Sequence, residues 1–382
     1  MNLDEFLSAK PLFYDVIDYG RFPRAYAMIA DRLPAPAIVH IVGTNGKGST
    51  GRFLAEALHR SGKRTGHYTS PHILRFNERI WIDGEDISDA DLEEAHRRLL
   101  ALLPSEVAES LSYFEYTTLL AMIAFEECDY VVLEAGLGGE HDATNAFEKV
   151  LSVFTPIDLD HAAFLGTTVE EVAQTKLRSM TRLALLGSQK HPEVETIARK
   201  IADAKGTRLH TLHERITPAI REWALQLGIK NGLSVYLRDN LELAMCAFEL
   251  LGFEARAELF DQGALFGRLS RIAPNVTLDV GHNPLAAREI ARVYAGKKVT
   301  LVYNTYRDKD YREILFILSP IIERVEIIDV NEPRIALRSD LEAALDGLAI
   351  PYAFFERIDD AKDYLVFGSF SVAETFLKRM NP

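Results

Sequence analysis

The residues Gly43-Thr44-Asn45-Gly46-Lys47-Gly48-Ser49 follow directly on the apolar run Ala37-Ile38-Val39-His40-Ile41-Val42. The pattern predicts a short buried strand, a glycine-rich turn and a helix beginning near Ser49. Such a turn aims backbone N–H groups and the positive end of a helix dipole at one point. An anion with several oxygens, such as a nucleotide phosphate, fits there, and Lys47 adds a full positive charge. The spacing is unusual. The common phosphate loop has four residues between its first Gly and the Gly-Lys pair, and Ser or Thr directly after the Lys. Here only Thr44 and Asn45 intervene, and Gly48 parts Lys47 from Ser49. The competing reading, a turn that binds nothing, leaves the lysine and the strand–loop–helix context unused.

Other polar residues fall where strands should end. Glu134 closes Tyr130-Val131-Val132-Leu133 and precedes Ala135-Gly136-Leu137-Gly138-Gly139. A carboxylate there is well placed to hold Mg²⁺ near phosphates. Ser70 stands in Tyr68-Thr69-Ser70-Pro71-His72, and His161 in Ile157-Asp158-Leu159-Asp160-His161, shortly after an apolar run. Taken singly, such a Glu is a cap or an ion-pair partner and such a His a hydrogen-bonded structural residue. Their shared position at strand ends is what suggests convergence with Lys47.

The elements that must position these groups alternate along the chain. Strands are expected at 37–42, 65–68, 130–134, 150–154 and 182–186, most of them continuously apolar, as in a parallel sheet covered on both faces. Helices are expected from Asp89 through Leu92, Ala95, Leu99 and Leu100, at 117–127, 169–180 and 239–251. A second set has strands at 276–279, 299–303, 325–329 and 364–367, with helices near 284–295, 309–318 and 371–379. Turn residues at Asp261-Gln262-Gly263 mark the boundary. Both halves read as doubly wound α/β layers, whose ligands sit at the carboxyl ends of strands.

The 382 residues suffice for two domains. A formal net charge of −13 argues against nonspecific binding to nucleic acid or an anionic membrane. Cys128 and Cys246 have no metal-ligand spacing and make no disulfide framework. The apolar runs are too short for a bilayer and the first residues lack the pattern of a signal peptide, so a cytoplasmic setting is expected.

With these residues laid out, the chain resembles the dihydrofolate synthase/folylpolyglutamate synthase family, within the Mur-ligase-like ATP-dependent amide ligases. The matching segments run in family order: residues 43–49; Thr69-Ser70-Pro71-His72 with Phe76-Asn77-Glu78-Arg79-Ile80; Tyr113-Phe114-Glu115; Leu133 to Gly139 with Asp142-Ala143-Thr144-Asn145; Leu159-Asp160-His161; Lys176; Gly267-Arg268; Leu278 to Pro284; and Phe367-Gly368-Ser369-Phe370.

The resemblance implies a P-loop ATPase domain over 1–262, carrying the pterin site, and a smaller Rossmann-like α/β domain over 263–382. It implies that Gly43, Thr44, Asn45, Gly46, Lys47, Gly48 and Ser49 cradle ATP phosphates, with Asn240, Arg268 and Asp279 as further ATP contacts. Ser70, Glu134, His161 and a carbamylated Lys176 would hold two Mg²⁺ ions, with K⁺ as a further cation. Lys47, Lys176, His161 and His282 would serve catalysis. Ser112, Phe114, His141, Asp142 and Ala143 would form the pterin pocket, bordered by Ile17-Asp18-Tyr19-Gly20. The implied reaction joins L-glutamate to dihydropteroate and to folate glutamate tails through an acyl phosphate, in a monomer with small-molecule partners only.

Some residues depart from the family pattern. Leu177-Arg178-Ser179 stands where Ala-Gly-Ile is common, Glu140-His141 where Arg-Leu is common, and Val280-Gly281 within the Asp279 to Asn283 motif. Rival readings are a folylpolyglutamate synthase alone, a cell-wall Mur ligase, which usually has Thr after the lysine, and a nucleotide-binding scaffold without turnover.

Overall fold

The computed structural model describes residues 1–10, 18–160 and 162–380. They form two compact units, one of Met1–Leu233 with Leu237–Gly263 and one of Ala264–Pro382 with Ser234–Tyr236.

The first unit is built on an eight-stranded sheet. Its strands are β1 (Ala37–Val42), β2 (Thr65–Tyr68), β3 (Ile80–Ile82), β4 (Glu85–Asp86), β5 (Tyr130–Glu134), β6 (Leu151–Phe154), β7 (Leu183–Leu186) and β8 (Arg208–Thr211). Their order is β4-β3-β2-β5-β1-β6-β7-β8. β3 and β4 join antiparallel at one edge, and every other pairing is parallel. β1 lies between β5 and β6, with Ile41 opposite Glu134 and Val42 opposite Phe154. The loops after these three strands therefore open at the same edge, where strand order switches direction, the usual ligand position of an open α/β sheet.

Covering helices explain why the central strands carry little polarity. Val39 and Ile41 of β1 share a core with Phe53, Leu54, Ala57 and Leu58 of the helix Lys47–Arg60 and with Leu241, Ala244, Met245 and Phe248 of the helix Val235–Leu250. On the opposite face Ile38 joins the core under Tyr113–Ala124, and Val42 the core under Val169–Leu177. A strand buried on both faces cannot alternate in hydropathy.

The second unit has six strands: β9 (Ser270–Ala273), β10 (Val276–Leu278), β11 (Val299–Tyr303), β12 (Ile322–Ile327), β13 (Tyr352–Phe354) and β14 (Tyr364–Phe367). Their order is β13-β12-β11-β14-β10-β9, parallel except for β9. Several expected bounds shift. The strand expected at 325–329 runs Ile322–Ile327, the helices expected at 117–127, 169–180 and 239–251 run Tyr113–Ala124, Val169–Leu177 and Val235–Leu250, and the helix expected to begin near Ser49 begins at Lys47. Gly46 has φ +88°, a left-handed turn that lets the helix start at once. Among the described residues no helix is long and apolar enough to cross a membrane.

Candidate active site at the phosphate loop

The turn after β1 is fixed from three sides. Thr44 N–H donates to Pro156 O at 2.9 Å, and Thr44 Oγ1 donates to Asp158 O at 2.9 Å. These bonds tie the loop to the segment after β6. The space at Gly43 is filled by Thr155, and a Cβ at Gly46 would meet Asn240 Oδ1 at 2.5 Å. Gly46 caps the helix Lys47–Arg60 without any side-chain hydrogen bond. The first N–H groups of that helix are left with no intrahelical acceptor, which is the condition for an anion site. Asn240 is 5% exposed and its Nδ2 has no hydrogen-bond partner. An unsatisfied buried donor beside a left-handed glycine fits a ligand group arriving at the loop.

Two lysines reach into this turn. Lys47 Nζ donates to Thr44 O at 3.3 Å and lies 3.7 Å from Glu134 Oε1. Lys176, on the helix Val169–Leu177, is buried and donates to Gly43 O at 2.9 Å. Burial, then the charge of Lys47, pushes the Lys176 amine down to about 7, although Asp160 and Asp142 pull the other way. Gly139 lies so close that a Cβ there would meet Lys176 O at 2.6 Å.

Glu134 is buried at the end of β5. Its Oε2 accepts from Thr69 Oγ1, and Ser70 N–H lies 3.4 Å from the same oxygen. Lys47, Glu134 and the Ser70 backbone are thus gathered, and Lys176 joins them through Gly43. His161 lies outside the described residues. Among those described, no group of three or more His, Cys, Asp or Glu side chains is placed to hold a metal. The oxygens that the structure places together for a hard cation are the Glu134 carboxylate and the Thr69 hydroxyl, with the Ser70 backbone beside them, a chemically suitable set. Thr69 was visible in the sequence only as a neighbour of Ser70.

The residues expected around a pterin are placed by a different set of contacts. Ser112 caps the helix Tyr113–Ala124, its Oγ accepting from Glu115 N–H at 3.1 Å while Ser112 N–H donates to Glu115 Oε2 at 2.7 Å. Arg21 locks the same carboxylate at 2.7 Å. The Phe114 ring lies against Gly136 and 5.9 Å from the Tyr68 ring. Asp142 and Ala143 are buried, whereas His141 is half exposed with the Tyr19 ring 4.5 Å away. Tyr19 is thus placed beside this loop, Asp18 accepts instead from Gly20 N–H and Arg24, and Ile17 is outside the described residues.

In the second unit Asp279 is buried, and its carboxylate accepts from Tyr236 Oη at 3.0 Å, Leu269 N–H at 3.0 Å and Gly281 N–H at 2.8 Å. Burial raises its pKa against the pull of Arg268. His282 Nδ1 lies 3.1 Å from Val280 O, and the Arg268 guanidinium stands 5.8 Å over the Phe370 ring. Asp279 thus organises the 267–281 segment around Arg268 and His282.

A parallel sheet switching direction at β1, with a glycine turn, a lysine and an unsatisfied helix N-terminus there, defines a phosphate-loop α/β protein. No protein-family model matches the chain. It is 30% identical, over an alignment 406 positions long, to the dihydrofolate synthase/folylpolyglutamate synthase of Haemophilus influenzae, covering 90% of this chain and 89% of that one. Among solved structures, Helicobacter pylori folylpolyglutamate synthetase is 39% identical with a TM-score of 0.80, covering 99% of this chain and 98% of that one. The E. coli FolC in complex with DHPP and ADP is 26% identical with a TM-score of 0.83, covering 100% and 98%. The chain belongs to the dihydrofolate synthase/folylpolyglutamate synthase family.

Proposed function

We propose that this protein joins L-glutamate to dihydropteroate and to the glutamate tails of (tetrahydro)folates, with ATP converted to ADP and phosphate. The observation that carries the reading is the pair of lysines bonded into one glycine turn, Lys47 on Thr44 O and Lys176 on Gly43 O, with Glu134 beside Lys47. A carboxylate is a poor acyl donor because its leaving group would be oxide. Transfer of the γ-phosphoryl group to the acceptor carboxylate gives an acyl phosphate. The glutamate amine adds to that carbonyl, and the tetrahedral adduct collapses to an amide, releasing phosphate. Lys47 and the free N–H groups at the start of the helix Lys47–Arg60 stabilise the negative charge that spreads during phosphoryl transfer. Asn240, Arg268 and Asp279 are assigned to nucleotide contacts by the family pattern, and His282 to catalysis.

Glu134 and Ser70, with His161, are the residues assigned to Mg²⁺, and the reading includes two such ions and K⁺. When bound, a divalent cation neutralises phosphoryl oxygens and aligns them with the acceptor carboxylate. Lys176 shares the turn with Lys47, so a second ammonium there is unfavourable. Carbamylation would reverse its sign and supply an oxygen ligand. Ser112, Phe114, His141, Asp142 and Ala143 are assigned to the pterin, and the enzyme is taken to act as a cytoplasmic monomer.

The test is turnover with Mg²⁺, ATP and L-glutamate, offering dihydropteroate and tetrahydrofolate separately and measuring both ADP and amide product. Product from both supports the full reading. Product from tetrahydrofolate alone reduces it to a folylpolyglutamate synthase, the activity for which the Helicobacter pylori relative is named. Product from neither acceptor sinks it.

A further inference from the structure

His40 sits in the middle of β1 on the face shared with Ile38 and Val42, and no part of it reaches solvent. A histidine in a fully buried strand needs an account, because an aliphatic residue would pack there without a polar atom to satisfy. One ring nitrogen, Nε2, lies 2.7 Å from Thr144 Oγ1, and the other, Nδ1, has no partner. Thr144 Oγ1 lies in turn 2.5 Å from Asp142 Oδ1. The same carboxylate accepts from Thr144 N–H at 3.0 Å and, through Oδ2, from Leu137 N–H at 2.8 Å.

The direction of the chain follows from counting protons. Burial pushes the Asp142 pKa up, against the hydrogen bonds from Leu137 and Thr144 that favour the ionised form; the Thr144 hydroxyl donates to Oδ1, so its single proton points at Asp142. The Thr144 oxygen must then accept, so the imidazole proton is on Nε2. The other tautomer would bury an unpaired N–H at Nδ1 and leave two acceptors facing each other. Burial, then Lys149, holds the His40 pKa down to about 3, so the ring stays neutral.

We propose that this chain, His40 Nε2–H to Thr144 Oγ1–H to Asp142, makes His40 a positioning residue for the acceptor pocket. Through Leu137, Asp142 fixes the loop that follows Glu134, and its own backbone carries the pocket wall at His141 and Ala143. His40 therefore sets that wall from within the strand that also delivers the phosphate loop at Gly43. This role rests on the assignment of Asp142 to the acceptor pocket.

The test compares His40→Leu, His40→Gln, Thr144→Val and the double variant His40→Leu/Thr144→Val in the full-length enzyme, with kcat and KM measured separately for dihydropteroate and ATP. Losing the chain should raise the dihydropteroate KM on the order of tenfold, the size of one hydrogen bond to a charged group. The KM for ATP and kcat should stay within about twofold. His40→Gln, whose amide N–H can replace Nε2–H, should restore most of the loss, and the double variant should be no worse than either single one. Equal impairment of His40→Gln and His40→Leu, or a loss falling on ATP and acceptor alike, would overturn the role. Asp142→Asn separates the two layers of the argument. If it raises the dihydropteroate KM while His40→Leu and Thr144→Val do not, the relay is wrong. If it leaves that KM unchanged, the pocket assignment itself fails and the relay falls with it.

Discussion

Replacing Gly46 by alanine tests the phosphate loop through two separable terms. The backbone there has φ +88°, which an L side chain rarely adopts, and that conformation costs about 1–2 kcal/mol. The added Cβ would also stand 2.5 Å from Asn240 Oδ1 and 3.1 Å from its Cγ. The first distance is roughly 1 Å short of an ordinary contact. Asn240 is buried on the helix Val235–Leu250 and cannot simply swing into solvent. The loop must yield instead, and a displacement of that size at a catalytic loop costs on the order of 10²-fold in rate. Gly46→Ala should therefore lower unfolding stability by about 2–3 kcal/mol in a urea titration and reduce kcat/KM for ATP by about two orders of magnitude. In an Asn240→Gly background the clash is gone, so adding Gly46→Ala there should cost only the backbone term of about 1–2 kcal/mol relative to Asn240→Gly alone. Stability is the readout for that pair because Asn240 is itself a proposed nucleotide contact. A Gly46→Ala protein with the parental midpoint and parental ATP kinetics would refute the argument.

Three further outcomes are expected. Glu134→Gln keeps the side-chain shape but removes the charge, so turnover at ordinary Mg²⁺ should fall by about 10²-fold and recover partly at high Mg²⁺; near-normal turnover would remove Glu134 from the metal assignment. Lys176→Ala should lose most activity and regain some when short carboxylic acids are added, whereas unchanged turnover would end the carbamate assignment. His40 has its folded pKa depressed from 6.5 to about 3, so the unfolded chain binds the proton first and stability is lost as pH falls from about 6.5 towards 3. That shift corresponds to about 5 kcal/mol at the acid end, and His40→Gln should flatten this part of the pH–stability curve; an unchanged acid limb would show that His40 does not titrate there.

The sequence made the buried parallel strands easiest to recognise. Ala37–Val42, Thr65–Tyr68, Tyr130–Glu134, Val299–Tyr303 and Tyr364–Phe367 all have the bounds their residue patterns suggested. Strands at sheet margins escaped notice, because Arg208–Thr211, Ser270–Ala273 and Tyr352–Phe354 are short and part exposed, and their pattern is dominated by neighbours. Two helices outside the expected set carry readable signals in the sequence. Pro192–Lys205 and Pro218–Asn231 each begin on a proline at the first helical position and end on a left-handed glycine, Gly206 and Gly232. At the site, residue types adjacent in sequence were legible, such as Lys47 within its glycine turn. The partners of His40 were not, since Thr144 lies 104 residues away, in the connection between β5 and β6, and it is the pairing of both strands with β1 that brings the two together.

The margins of the two sheets bear on how the protein behaves when crowded with its own copies. An open strand edge offers unpaired N–H and C=O groups to any neighbouring chain. Here the first sheet stops on the two acidic residues of β4 at one end and on β8, with Arg208 and His210, at the other. The second stops on the three-residue β13, where the Arg338 guanidinium lies 3.3 Å over the Phe354 ring. Its opposite end, β9, is turned antiparallel and carries Arg271. Short, charged or covered margins of this kind deny a template to edge-to-edge growth, and with a net charge of −13 they favour dispersed molecules. Light scattering on a Glu85→Thr/Asp86→Val variant, which turns β4 into an uncharged β-prone edge, should show earlier aggregation on heating than the parent protein; coincident onsets would mean that this margin is protected by something other than its charge.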